Sequence, residues 1–393
     1  MSGAALFVAC LNFAGHSLER VNSRLALRLD PLNTDARMGL IVNEFSTRNS
    51  RRAILEQMLG TGRPGLALAP MDGRLWSLLG EIEGSMGDEA AAESDYHRAL
   101  AVSRTEINAL LNLFEIAARR GDYARAIDLA DIMFRRWAGR SGKVRTALLA
   151  IAADPAGYAA LHERLMTGPP WRDRLLSAFA SAPKAAMTGA ALAIDLAAAG
   201  HAQAPAAVSA LERELIRSGQ PEEAYRLFLL TRTHEQSAKT GFIFDGHFRL
   251  APDGNPFGWR LESRAGYEVA RLPAGGLSMR FFDAPVTRMD VAQTLTLPPG
   301  NYRLETRAAA FAARFPKGIS WTVRCRSNRR VAARLDISEG SYAFHAAITD
   351  FSIDGQCPVQ ELQLETGLDM ESWQYRYSGS LQFESITIRQ AGT

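Results

Sequence analysis

A chain of 393 residues that is 47% hydrophobic and 22% charged has ample apolar material to fold and is too long for one ordinary core, so two domains or more are expected. Lys and Arg number 45 against 42 Asp and Glu, a net charge of +3, which excludes the strongly basic field of a nucleic-acid binder. The clusters at Arg135, Arg136, Arg140, Lys143 and Arg145, and at Arg324, Arg326, Arg329 and Arg330, lack interleaved exposed aromatics and read as solvated faces.

Residues 1–19 form a segment of their own. Ala4 to Leu18 is uncharged and largely apolar, yet shorter than the roughly 20 residues that span a bilayer, and no Lys or Arg precedes it as in a secretory signal. Two readings stay open: the first helix of the domain that follows, or a membrane tether whose start lies upstream. Phe7-Val-Ala-Cys10 resembles a bacterial lipoprotein cleavage box, with Phe in place of the usual aliphatic residue.

From residue 20 the pattern is helical. Ala26 to Pro31 reads as a helix end, with Asn33 or Thr34 capping the next helix, and Asp35 to Leu59 supplies a helix pair. Gly60-Thr-Gly-Arg-Pro-Gly65 reads as a breaker cluster, and it lacks the Lys-Ser/Thr of a phosphate loop. Between Asp72 and Arg136 one pattern occurs twice: Leu113, Gly121 and Ala126 follow Leu79, Gly87 and Ala92 by 34 residues. With Trp76, Gly80, Tyr96 and Ala99, these positions resemble the tetratricopeptide repeat. The resemblance implies antiparallel helix pairs, with Gly87 and Gly121 at the turns and small residues where helices meet. Helical signals continue to Gly219-Gln-Pro-Glu-Glu-Ala-Tyr-Arg-Leu-Phe228, which restores the second helix of a repeat, so an α-solenoid is expected over residues 20–236. Such stacks leave a groove for a protein partner, and Asn108, Asn112 and Glu115 are its candidate lining.

From Gly241 the period changes from helical to two. Leu277–Phe282, Ala292–Leu297, Tyr302–Arg307, Ile319–Cys325, Tyr342–Ile353, Glu361–Glu365 and Ser380–Ile388 read as strands, as does Phe242–Gly246. That number of short strands predicts an independently folding antiparallel β-sandwich over 241–390, the jelly roll being the common closure. Phe244-Asp-Gly-His-Phe248, Trp259 and Gln293-Thr-Leu-Thr-Leu-Pro-Pro-Gly-Asn-Tyr302 are similar to the pattern of jelly-roll carbohydrate-binding modules. The likeness extends to bacterial repeat proteins that carry such a sandwich and accompany exopolysaccharide genes. It implies a polysaccharide ligand. Aromatic faces stack on sugar C–H bonds, which makes Trp373, Tyr375 and Tyr377 the first candidates and Trp259 the second. On a strand Trp373-Gln-Tyr-Arg-Tyr377 puts its aromatics on one face, either as an exposed platform or as buried packing. Cys325 and Cys357 both lie in the sandwich and Cys10 stands apart. A bridge between the first two would indicate an oxidising compartment; two buried thiols would suit the cytoplasm.

No nucleophile elbow, zinc-binding His pair, dinucleotide loop or Cys-x-x-Cys occurs, so no catalytic residue, metal or cofactor is assigned. Asp245, Glu262 and Asp283 are the carboxylates that could converge on a sugar bond. The expected fold is therefore an α-solenoid followed by a jelly-roll sandwich. The expected function is that of a non-catalytic adaptor of the bacterial envelope, periplasmic or at the inner membrane, in exopolysaccharide synthesis or export. The alternatives are a peptide-binding repeat protein with a structural sandwich, and a glycan-active enzyme.

Overall fold

The structure, a computed structural model, describes residues 3–47 and 52–391. It divides into two compact units, Met1–Trp171 and Arg172–Thr393.

The first unit is helical: α1 (Gly3–Leu18), α2 (Ser23–Leu29), α3 (Thr34–Thr47), α4 (Arg52–Leu68), α5 (Gly73–Ser85), α6 (Glu89–Val102), α7 (Ile107–Arg119), α8 (Tyr123–Arg136), α9 (Gly142–Ile151) and α10 (Pro155–Met166). From α1 to α8 each helix packs on its successor, as expected of stacked pairs. The turns follow from two residues each. Gly87, at a φ of +88°, closes α5 in the left-handed region that favours glycine, and the Asp88 N–H reaches back to the Glu83 carbonyl. The Asp88 carboxylate then accepts from Ala91 N–H and starts α6. Gly121 and Asp122 repeat both acts between α7 and α8. Ala92, Ala99 and Ala126 are buried, and a Cβ on Gly80 would stand 2.8 Å from the Tyr96 ring, so small residues set the helix separation. Asn33 is the cap of α3, its side chain accepting from Ala36 N–H at 2.8 Å.

Gly60 to Gly65 does not break the chain: α4 runs through it, Pro64 included, to Leu68. The glycines serve packing instead. A Cβ on Gly62 would lie 2.6 Å from the Leu79 side chain, and one on Gly65 would lie 2.8 Å from Arg37. The close approach that they allow between helices outweighs their low helix propensity.

The second unit begins with α11 (Arg172–Ala180), α12 (Ala186–Ala198), α13 (Pro205–Arg217), α14 (Pro221–Leu230) and the short α15 (His234–Ser237). Pro205 and Pro221 stand at first helical positions, where no N–H is needed. Among the described residues ten strands follow: β1 (Arg260–Glu262), β2 (Tyr267–Arg271), β3 (Leu277–Ala284), β4 (Asp290–Leu295), β5 (Gly300–Arg314), β6 (Ile319–Cys325), β7 (Val331–Ile337), β8 (Gly340–Ile353), β9 (Gln360–Thr366) and β10 (Tyr377–Gln390). They form two antiparallel sheets, ordered β1-β4-β9-β6-β7 and β2-β3-β10-β5-β8. Without the edge additions β1 and β2, the eight remaining strands have the alternation of a jelly roll. Trp321, Phe383, Leu381, Leu362 and Leu364 fill the space between the sheets. Cys325 and Cys357 are joined by a disulfide, with Cα atoms 5.4 Å apart. Phe242 to Gly246, expected as a strand, is a turn-rich segment whose Phe244 lies against Phe228 of α14, as does Phe257 further on.

The change from helix to strand near Thr240 is therefore not where the compact units divide. Phe228 of α14 lies 5.0 Å from Phe244 and 5.3 Å from Phe257, ring to ring, and Tyr225 lies 5.2 Å from Phe257. Arg232 pairs with Asp253, and buried Glu212 of α13 accepts from the Asn255 side chain. Each buried aromatic contributes about 1.5–3 kcal/mol, so this seam is a core in its own right.

Candidate functional site

Of the four aromatics expected to meet a glycan, two have no free face. Trp259 is 5% exposed, packed on Phe248 and Trp321, and its indole N–H donates to the Asp245 carbonyl at 3.0 Å. Tyr377 is fully buried, with its hydroxyl on Thr366 and Gly318. Trp373 to Arg376 is loop and not strand, so alternation does not apply. There Tyr375 is half-buried under the Lys317 ammonium, 4.2 Å from its ring centre. Trp373 alone among the four is open, at 67% exposure.

The sheet β2-β3-β10-β5-β8 presents a different platform on its outer face. Pairing across it places Phe282 of β3 beside Ser378 of β10, and Phe311 of β5 beside Ser380. Both rings stand in solvent, Phe282 at 47% and Phe311 at 73% exposure. Between them the floor is small and polar: Ser378, Ser380, Gln382, Ser278 and Ala309 are half-buried. Two strand spacings, about 10 Å, separate β3 from β5, and the two rings are offset by two residues along β10. The backbone is kinked at this level in all three strands. Asp283, Ala312 and Gly379 have φ values of 53°, 48° and 85°, and the register of β10 shifts on both sides. The kinks turn both Phe282 and Asp283, and both Phe311 and Ala312, to solvent, where regular alternation would bury one of each pair. Glycine is required at 379, because a Cβ there would lie 2.2 Å from the Ala312 carbonyl oxygen. At the non-glycine positions Asp283 and Ala312 a left-handed backbone costs about 1–3 kcal/mol each, and such residues collect at functional surfaces. The Trp373 loop adjoins the same end, since Arg376 pairs with Asp283 at 3.1 Å and lies 5.2 Å from the Trp373 ring.

Phe282 carried a signal in the sequence. On a strand Phe281-Phe282 cannot both face inward. Phe311 sits in an Ala-rich run where hydrophobic alternation is hard to read, and in the structure it continues the outward positions of β5, with Leu304, Thr306, Ala308 and Ala310 buried.

A larger cleft of about 960 Å³ opens where α14 meets the sandwich, walled by Tyr225, Phe242, Phe257, Leu297 and Pro298. Its central amide, Gln293, is already engaged by both backbone groups of Phe244, at 3.0 and 2.9 Å. Thr294, Thr296, Asp354 and Arg389 are among its remaining polar lining.

The expected carboxylate set does not converge. Asp245 is buried and accepts from the N–H groups of Arg249 and Leu250, and its neighbour Gly246 bonds to Ile386. Asp283 adjoins Phe282, opposite Ser378, eight residues away along β10 or roughly 25 Å.

In the first unit Asn112 and Glu115 line a groove of about 230 Å³ with Glu81, Tyr96 and Arg119. Asn108 is exposed one turn earlier and accepts from the Asn112 amide through its carbonyl at 2.9 Å. The wall is acidic. Burial, helped by Glu106, raises the Glu81 carboxyl, and burial followed by the Glu81 charge raises the Tyr96 hydroxyl. Arg119 is drawn off to Glu89 at 3.3 Å.

No family model and no curated protein matches the chain. Among solved structures, a CBM4 carbohydrate-binding module covers 38% of this chain and 99% of its own, at 15% identity and a TM-score of 0.30. The module CsCBM6-3 of Clostridium stercorarium, solved with cellobiose, covers 33% of this chain and 86% of its own, at 12% identity and a TM-score of 0.21. A tetratricopeptide-repeat protein of Parabacteroides merdae covers 58% of this chain and 95% of its own, at 14% identity and a TM-score of 0.29. The chain's own motifs and strand order define its class: a tetratricopeptide-type helical-repeat protein whose C-terminal sandwich is similar to carbohydrate-binding modules.

Proposed function

We propose that this protein is a non-catalytic adaptor of the bacterial envelope that holds polysaccharide on the outer face of its β2-β3-β10-β5-β8 sheet. Its helical repeats hold a protein partner, in the setting of exopolysaccharide synthesis or export. The observation that carries the glycan reading is the pair of exposed rings, Phe282 and Phe311, set on either side of a serine-lined strand. A sugar ring can stack on each phenyl while its hydroxyls meet Ser378, Ser380 and Gln382, and Trp373 extends the surface. The disulfide supports an oxidising compartment. The acidic groove at Glu81 and Glu115 suits a basic or amide-bearing segment of the partner.

Affinity electrophoresis of the full chain in gels cast with soluble polysaccharides tests this. Retardation by at least one glycan is expected, and Phe282→Ala with Phe311→Ala should weaken it about five- to hundredfold, at about 0.5–1.5 kcal/mol per ring. Unretarded migration in every glycan, or retardation indifferent to both substitutions, overturns the reading.

A further inference from the structure

The two phenyl rings have charged neighbours whose balance points to a ligand class. Arg280 lies two residues before Phe282, its guanidinium 5.8 Å from that ring, and stands beside Ser380. Arg314 lies three residues after Phe311 and stands beside Ser378. Both are exposed. Arg303 is occupied by Asp350, Arg307 by Glu384 and Arg376 by Asp283, and Arg389, exposed opposite Arg303, lies at the far end of β10 from the phenyl rings. Among the described residues Arg280 and Arg314 have no ion-pair partner. Glu268 is opposite Arg280 in register on β2, without a salt bridge to it. Each wall of the trough thus pairs a phenyl with an unmatched guanidinium, over a floor of hydroxyls and one amide.

Resting on the glycan reading above, we infer that the platform selects acidic polysaccharides, with Arg280 and Arg314 receiving the carboxylates of uronic-acid residues stacked on Phe282 and Phe311. A carboxylate offers two oxygens to the planar donor fork of arginine, a geometry that a neutral hydroxyl cannot match. Two such sites, one strand to either side of β10, match a charge that recurs along a chain. Exposed ion pairs are each worth about 0.2–1 kcal/mol, so the two together should favour an acidic polymer by about two- to thirtyfold at low salt.

The test uses the full chain and polymers that differ only in charge: polygalacturonate and alginate, each beside its esterified, neutral form. The wild-type protein should be retarded more by each acid than by its ester, and added NaCl should narrow the gap. Arg280→Gln with Arg314→Gln should erase the preference while leaving retardation by the esters intact. Phe282→Ala with Phe311→Ala should remove retardation by acid and ester alike. Equal retardation by acid and ester, or a preference that survives the arginine substitutions, overturns the acidic assignment and leaves the glycan reading standing. Absence of retardation by all four polymers overturns the acidic assignment, and phenylalanine variants that bind as wild type overturn both. Melting curves of each variant matching wild type would exclude misfolding as the cause of a loss.

Discussion

Helix pairs of the same sequence type occur in both compact units and meet different surfaces. In the first unit Gly87, Ala92 and Tyr96 shape a pair whose outer wall, at Glu81 and Glu115, stays open as a groove. In the second, Gly219, Ala224 and Phe228 shape a helix of similar pattern, with Gly219 at a φ of +80° and Ala224 fully buried. There Tyr225 meets Phe257, and Phe228 meets Phe244, edge to face in the sandwich segment. The repeat pattern specifies how two helices meet each other, through small residues and a left-handed turn. It says nothing about what their remaining faces touch. One pair therefore serves as a binding wall and the other as a structural clamp.

The largest effect that would break this distinction is a truncation. A fragment of residues 241–393 should lose on the order of 5 kcal/mol relative to residues 172–393, because Phe244 and Phe257 lose the rings that cover them. Near-UV circular dichroism during thermal melting measures it, and equal midpoints for the two fragments would make the clamp an accident of packing.

Glu212 sharpens the same point. Burial pushes its carboxyl from 4.5 up to about 8, against the pull of Arg232 and the Asn255 hydrogen bond. The folded carboxyl keeps its proton where the unfolded one has lost it, so the second unit should lose stability as pH rises from about 4.5 to 8. Glu212→Gln keeps the shape without the charge. Its advantage should grow by about 1.4 kcal/mol per pH unit across that window and be absent at about pH 4. A pH-independent difference in denaturant midpoints would contradict this.

Smaller effects should stay within one unit. Replacing Cys325 and Cys357 with Ala should cost the second unit about 2–4 kcal/mol, with no change in the transition of the first. Urea melts followed by hydrogen exchange resolve the two units. Ala92→Leu should do the reverse, costing the first unit about 1–3 kcal/mol through overpacking against Gly84, which the Ala92 side chain faces. A shift of both transitions in either variant would show the units to be coupled.

Features set by short-range chemistry were legible in the sequence. Gly87 with Asp88, and Gly121 with Asp122, had to end one helix and begin another, since the first needs a left-handed backbone and the second supplies an acceptor to free N–H groups. Strand alternation located the sandwich and buried Trp321, and the position of two cysteines allowed their bridge. Long-range packing settled the rest. Gly60 to Gly65 became helix because Leu79, Leu75 and Arg37 need the room that glycine leaves. Trp259 and Tyr377 became core because the Asp245 carbonyl accepts the indole N–H, and the Gly318 carbonyl and Thr366 hydroxyl engage the phenol, inside it. Phe282 and Phe311 hold regular outward positions of β3 and β5, while the kinks at Asp283, Ala312 and Gly379 turn the next residue of each strand to the same face; a kink set by the register of adjacent strands has no signature in any one of them.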